Sequence, residues 1–132
     1  MNEKAIEVFI SYSTLDADIA SKLLEILESY GLSCWIAPRD IPQGGNWAEE
    51  IDKAIQRSRC FAVLFSCHSA ESKQVPKEIS LAVSACEKIY PIRIDDTELQ
   101  GSFRYHLSDY QFTDAVADPD GKMTELAQTI CS

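Results

Sequence analysis

The sequence predicts an α/β protein built on a parallel sheet. Short apolar runs of strand length alternate with amphipathic stretches of helix length. The apolar runs are almost continuous, which is typical of strands that are covered on both faces. Right-handed crossovers then place helices on both sides of the sheet. Such sheets bind ligands at the carboxyl ends of their strands, so the loops that follow the strands form the candidate site.

Size and charge limit the classes of function. The 132 residues are enough for one core, so we expect a single domain over residues 1–132. The net charge is −9 and the pI about 4.6. This acidity disfavours nucleic acid and anionic membrane surfaces as partners. A phosphorylated ligand would need local donors, such as an arginine or helix N-termini.

The cysteines and the N-terminus predict a reduced, cytoplasmic protein without a metal site. The five cysteines form no Cys-x-x-Cys pair, and those in or beside apolar runs are expected to be free thiols that behave as small hydrophobic side chains. Cys67 and His68 are adjacent, a spacing that disfavours binding of one ion. Residues 1–7 do not have the pattern of a signal peptide, and no apolar run has membrane-spanning length.

Hydrophobic periodicity and turn residues predict the individual elements. Five strands are expected at residues 5–10, 32–36, 60–65, 89–94 and 107–112, the last at a sheet edge. Ser13-Thr14-Leu15-Asp16 fits a helix-capping pattern, Gly31 is expected to end that first helix, and Asn46 to cap the second. The later helices are expected at residues 75–87 and 123–130, with 66–72 a polar loop and 95–104 irregular or weakly helical.

The same periodicity predicts a buried set and a buried face for the second helix. Trp47 is assigned to that face together with Ile51, Ala54 and Ile55. The residues expected in the core are Val8, Ile10, Leu24, Leu27, Ile36, Ala62, Leu64, Ile79, Val83 and Ile92.

The loop at residues 35–47 is the most unusual segment of the chain. Pro38 and Pro42 stiffen its backbone, while Gly44 and Gly45 permit positive φ and close approach by a ligand. The loop is longer than an ordinary βα connection of about 2–6 residues. We therefore predict that it borders a binding site.

Glu78 is the strongest single candidate for chemistry. It follows Pro76 near the start of a helix, borders an apolar stripe, and shares the sheet edge with the loop at 35–47. A partly buried carboxylate that faces a cleft is a plausible catalytic group; the alternative is an ordinary solvated glutamate. Serine catalysis and common nucleotide sites are disfavoured, because the chain lacks Gly-x-Ser-x-Gly, Walker and Gly-x-Gly-x-x-Gly motifs.

Four motifs, at residues 8–13, 35–47, 75–79 and 89–94, occur in an order and at distances that resemble a Toll/interleukin receptor (TIR) domain of the bacterial type. The resemblance implies a flavodoxin-like sheet of five parallel strands with helices on both faces. It identifies residues 35–47 as the family's BB loop, through which TIR domains associate with one another.

The resemblance also implies NAD+ as a substrate, cleaved between nicotinamide and ribose with no further cofactor. Glu78 matches the catalytic glutamate of active members. In several of these a tryptophan stands where this chain has Gln74, so the aromatic wall beside nicotinamide would come from Trp47 or Tyr12. The residues assigned to NAD+ are Tyr12, Ser13, Thr14, Arg39, Gln43, Gly44, Trp47 and Gln74. Arg39 is expected at the pyrophosphate.

The sequence allows two other interpretations, each of a different functional class. A non-catalytic TIR adaptor would use the BB loop only to dock onto another TIR domain. A response-regulator receiver domain needs an acidic cluster after the first strand, and Ser11-Tyr12-Ser13 stands there instead. The receiver domain is discarded and the adaptor is kept as the alternative.

Overall fold

The computed structural model describes residues 5–132, which contain a parallel sheet of five strands. The strands are Ile6–Ser11 (β1), Cys34–Trp35 (β2), Ser58–Phe65 (β3), Lys88–Arg93 (β4) and Thr113–Asp114 (β5). Their order in the sheet, β2-β1-β3-β4-β5, is that of flavodoxin-like folds, so the predicted fold class is confirmed. The expectation about a signal peptide concerns residues that lie in part outside the described range.

Helices cover both faces of the sheet. They are Ala17–Ser29 (α1), Trp47–Gln56 (α2), Cys67–Ala70 (α3), Gln74–Ala85 (α4), Gly101–Leu107 (α5) and Pro119–Cys131 (α6). Helices α1 and α6 pack on one face, and α2, α4 and α5 on the other. Over residues 5–132, every helix is too short or too polar to cross a membrane.

The pleat of the strands divides the core into two layers. In β3, Ala62 and Leu64 face α1 and α6, whereas Phe61 and Val63 face α2 and α4. All four side chains are fully buried. Because both faces of the central strand are covered, its sequence is apolar without alternation.

Backbone geometry confirms two of the three predicted helix ends. Ser13 Oγ accepts from the Leu15 amide at 3.3 Å, but it caps a 3-10 turn over Thr14–Asp16, and α1 itself begins at Ala17 after Asp16, whose side chain does not cap the helix. Gly31 has a φ of +83°, a conformation that favours glycine, at the C-terminal end of α1. Asn46 Oδ1 accepts from the Glu49 amide at 3.0 Å and so caps α2.

Two strand predictions need correction. The second strand shortens to Cys34–Trp35, because this edge strand pairs only with Val8 and Phe9 of β1. A strand at residues 107–112 is wrong: α5 ends at Leu107, and the edge strand is Thr113–Asp114. Phe103 and Leu107 are one helical turn apart and both are buried against the sheet. Their contacts with the core decide a segment that is too short for periodicity to assign.

The remaining corrections concern single side chains and one loop. Val83 is 40% exposed, because α4 buries the stripe of Val75, Ile79 and Ala82 and leaves Val83 beside it. Leu24 is half-buried against the core. The predicted polar loop at residues 66–72 contains the helical turn α3, which forms because the side chains of Ser66 and Ser69 cap each other's backbone. The other eight predicted core residues are buried.

Candidate functional site

A cleft of about 950 Å³ opens at the carboxyl edge of the sheet. Its walls come from the segment after β1, the loop after β2, the start of α2, and the segment from α3 into α4. Among the residues predicted for the site, six line this cleft: Tyr12, Ser13, Thr14, Trp47, Gln74 and Glu78. The β1 and β3 ends meet here, at the point where the strand order reverses.

Glu78 contributes a buried carboxylate to the wall of the cleft. Glu78 is only 7% exposed to solvent. The Ser11 hydroxyl donates to Oε1 at 2.6 Å, and the Gln74 amide donates to Oε2 at 3.1 Å. Burial raises the pKa of Glu78 above its ordinary value, while the hydrogen bonds from Ser11 and Gln74 oppose this rise.

The sequence at the start of α4 determines where Glu78 lies. Ser72 Oγ accepts from the amides of Gln74 and Val75 at 3.2 and 3.1 Å, so it satisfies two amides of the first turn. Val75 and Ile79 are buried and anchor the helix to the sheet. Glu78 lies between these anchors on the side of the helix that faces the end of β1.

Tyr12 joins the end of β1 to the loop at residues 35–47. Its hydroxyl donates to the carbonyl oxygen of Ala37, and both residues line the cleft. Burial, and then the negative charge of Glu78, raise the pKa of Tyr12. Tyr12 therefore stays protonated and continues to hold this loop at neutral pH.

Trp47 lies at the mouth of the cleft rather than in the core. It is 54% exposed, which corrects its assignment to the buried face of α2. Ile51, Ala54 and Ile55 do form that face. Leu15, which is 74% exposed, also lines the cleft. The rim thus presents an indole and an aliphatic side chain that a planar ring could contact.

Arg39, Gln43 and Gly44 are not among the described residues that line the cleft. The Arg39 guanidinium contacts Glu28 and Asp40, each at 2.9 Å, and donates to the carbonyl of Cys34 at 3.1 Å. The hydrogen bond that Arg39 donates to Asp40 is the main cause that raises the pKa of Arg39, and the one that it donates to Glu28 adds to it. Gly44 has a φ of +79° within the loop.

Lys73 lines the cleft but was not singled out from sequence. His68 in α3 and Glu71 directly after it also line the cleft, and both belong to residues 66–72, which follow the third strand and were expected at the site. Lys73 directly precedes Gln74, which was predicted for the site, so this position in the chain is the signal that could have identified it. Ser11 was placed at the strand end, but its contact with Glu78 spans 67 residues of sequence and had no local signature.

The site therefore combines a buried carboxyl group with an open, partly apolar cleft. A carboxylate held by two donors keeps lone pairs on both oxygens for a ligand's hydroxyl groups. It also stabilises positive charge that develops nearby, since the surroundings are buried and preorganised. Within residues 5–132, no group of three or more His, Cys, Asp or Glu side chains is arranged to hold a metal ion.

Comparison with known proteins adds independent information. The chain is 32% identical over 101 residues to a probable 2′ cyclic ADP-D-ribose synthase TcpO from Methanobrevibacter olleyae. This match covers 74% of the chain but only 30% of the length of that relative.

Solved structures show the same fold. The TIR domain of the Toll-related receptor TRR-2 from Hydra magnipapillata has a TM-score of 0.80 at 23% identity, and the match covers 97% of this chain and 100% of that one. A TIR-STING receptor from C. gigas, in complex with 2′,3′-cGAMP, has a TM-score of 0.81 at 22% identity, with coverage of 97% and 40%. A family model described as TIR domain matches residues 8–130, and the chain therefore belongs to the TIR domain family.

Proposed function

We propose that this TIR domain cleaves NAD+ between nicotinamide and ribose, and that Glu78 is its catalytic residue. The observation that carries the proposal is the buried Glu78 carboxylate, which two donors hold at the wall of an open cleft. The relative named as a cyclic ADP-ribose synthase supports the same chemistry, since such a synthase makes its product from an ADP-ribosyl group.

The chemistry suits a single carboxylate. Ordinary glycosidases use two carboxyl groups, because one of them protonates a poor leaving oxygen. Nicotinamide is attached to ribose as a pyridinium cation. When the bond between ribose C1′ and the pyridinium nitrogen breaks, its electron pair goes to the nitrogen and nicotinamide leaves as a neutral molecule. No general acid is needed for this step.

Glu78 would act on the part of the substrate that becomes positive. As the bond breaks, C1′ and the ring oxygen share an oxocarbenium-like charge, which a preorganised carboxylate stabilises. Water that attacks C1′ and loses a proton gives ADP-ribose. Attack by a nucleophilic group of the same ADP-ribosyl unit, with loss of its proton, gives a cyclic isomer.

The rest of the cleft offers contacts for the remainder of NAD+. Trp47 and Leu15 at the mouth provide apolar surface for a planar base. Lys73 supplies a positive charge at the cleft of a protein whose net charge is −9. Ser13 and Thr14 add hydroxyl groups at the end of β1. Arg39, Gln43 and Gly44 remain proposed contacts that would need the loop at residues 35–47 to approach the ligand.

The direct test is nicotinamide release from NAD+ by the purified domain. Separation of the products distinguishes ADP-ribose from a cyclic isomer. Release of nicotinamide with either product supports the proposal. Absence of release by folded domain, both in dilute solution and clustered on a surface, contradicts it and favours the adaptor function.

The adaptor alternative rests on a specific observation. Leu15 and Trp47 are 74% and 54% exposed, and apolar side chains exposed at one place are typical of protein contact sites. An adaptor would bind another TIR domain through the loop at residues 35–47, which ends at Trp47, and Leu15 lines the same cleft. Binding between domains without any nicotinamide release is the result that this alternative predicts.

We also propose that self-association raises the activity. The site is an open cleft whose mouth is lined by exposed side chains, so a second domain would exclude water from it. We expect turnover per molecule to be at least about tenfold higher for domains clustered on a surface than for dilute domains, a difference of about 1.4 kcal/mol in barrier. Equal rates per molecule in the two settings would contradict activation by self-association.

A further inference from the structure

We propose that Ser11 is a positioning residue for Glu78: from the end of β1, its hydroxyl holds the carboxylate as an anion in one orientation at the cleft. The catalytic readout of this proposal rests on the proposed NAD+ cleavage. Its electrostatic readout does not, because that readout can be measured in the protein without substrate.

The hydroxyl of Ser11 is rigidly placed. Ser11 is the last residue of β1, is 1% exposed, and is paired in register with Val63 of the central strand. Its Oγ lies 2.6 Å from Glu78 Oε1, which is hydrogen-bond distance for a hydroxyl donor. The sheet therefore fixes one oxygen of a carboxylate that a helix carries.

The second donor is placed differently. Gln74 reaches Oε2 at 3.1 Å from the same helix as Glu78, and its residue is exposed. An exposed amide retains rotamer freedom that a buried strand-end hydroxyl lacks. Ser11 is thus the donor that ties Glu78 to the sheet, and Gln74 completes the contact from the cleft side.

The hydrogen bonds from Ser11 and Gln74 matter because Glu78 has no ion-pair partner among residues 5–132. The titratable groups that line the same cleft are Tyr12 after β1, His68 and Glu71 from the segment around α3, and Lys73 before α4. Burial raises the pKa of Glu78, and the hydrogen bond from Ser11 is the first of two that lower it. Without Ser11, burial would be opposed by Gln74 alone.

The test compares Ser11→Ala with a matched control, Ser58→Ala. Ser58 is 0% exposed and donates to the Ala54 carbonyl, also at 2.6 Å. It lies at the opposite end of the sheet, where it pairs with Ile6. Both variants remove one hydroxyl and one buried hydrogen bond, but only Ser11→Ala removes a contact with Glu78. A difference between them therefore reports on the carboxylate and not on general loss of packing.

The first readout is the pH profile of nicotinamide release. The ionised form of Glu78 is the active one, so activity rises as pH increases through its pKa. Loss of a donor to the anion raises that pKa. We expect the acid limb in Ser11→Ala to move to higher pH by about one pH unit or more. Ser58→Ala should keep the limb of the wild type, and Ser11→Thr, which retains the hydroxyl, should restore it.

The second readout is a titration of the Glu78 carboxyl carbon by NMR in substrate-free protein, with the resonance assigned by its loss in Glu78→Gln. A higher midpoint in Ser11→Ala than in both wild type and Ser58→Ala supports the proposal. An unchanged midpoint overturns it. If the midpoint moves but wild type releases no nicotinamide, the role of Ser11 is supported and the proposed function fails. Should Ser11→Ala not fold, Ser11→Cys, a weaker donor of similar size, takes its place under the same criteria.

Discussion

Replacement of Glu78 by glutamine is expected to lower NAD+ cleavage by about 10²–10³-fold, as found when one preorganised electrostatic group is removed from an active site. The substitution keeps the shape of the side chain but removes its charge. The amide also has only one acceptor oxygen, so it cannot accept from both Ser11 and Gln74, which contact the two carboxylate oxygens in the wild type. The measurement is nicotinamide release by clustered protein at saturating NAD+.

Glu71→Gln is the matched control for this prediction. Glu71 lines the same cleft and loses the same charge on substitution, but Glu71 is exposed to solvent whereas Glu78 is buried. We expect Glu71→Gln to retain most of the activity. Circular dichroism and thermal unfolding establish that both variants are folded. Robust nicotinamide release by folded Glu78→Gln would show that another group carries the reaction.

Phe61→Ala is expected to have the largest effect on stability, with a loss of about 3–5 kcal/mol in the free energy of unfolding. Phe61 is 0% exposed in the central strand, and its ring stacks on that of Phe9 at a centroid distance of 5.5 Å. Both faces of this strand are covered, so the surrounding residues can collapse only partly into the space left by the ring. A domain has a free energy of unfolding of about 5–15 kcal/mol, so this single change removes a large part of it.

Urea denaturation of Phe61→Ala beside Tyr105→Ala measures this effect. Tyr105 is also aromatic but is 84% exposed, so its replacement should change the free energy of unfolding by no more than about 0.5 kcal/mol. A loss below about 1 kcal/mol in Phe61→Ala, with an unchanged slope against urea, would contradict the assignment of Phe61 to a tightly packed core.

The sequence was sufficient for the fold class and for the position of most elements. Continuous apolar runs mark buried parallel strands, and β3 at Ser58–Phe65 has both faces covered as predicted. Capping residues act on the backbone nearest to them, so Gly31 and Asn46 could be assigned from neighbours alone. The grouping of the candidate residues after β1, at Trp47 and at Glu78 followed from one rule, that parallel strands end at the same sheet edge.

Hydrophobic periodicity could not assign the short elements or predict which side chains are only partly buried. Leu107 has the same neighbours in sequence whether it ends a helix or begins a strand, and its contact with the core is what places it in α5. Val83 and Trp47 lie next to apolar stripes, but the shape of the neighbouring elements leaves them 40% and 54% exposed. Burial of such residues depends on which surface a helix meets, and a single helix carries no information about that surface.

The sequence by itself determined that a carboxylate at Glu78 would stand at the strand ends of an α/β domain, and it indicated the TIR family through motifs that span most of the chain. Only the tertiary structure decided the partners of the candidate groups. It brings Ser11 into hydrogen-bond contact with Glu78, 67 residues away in sequence, and pairs Arg39 with Glu28 and Asp40. The physical reason is that local sequence encodes backbone preferences and apolar faces, whereas a hydrogen bond depends on atoms that folding brings within about 3 Å of each other.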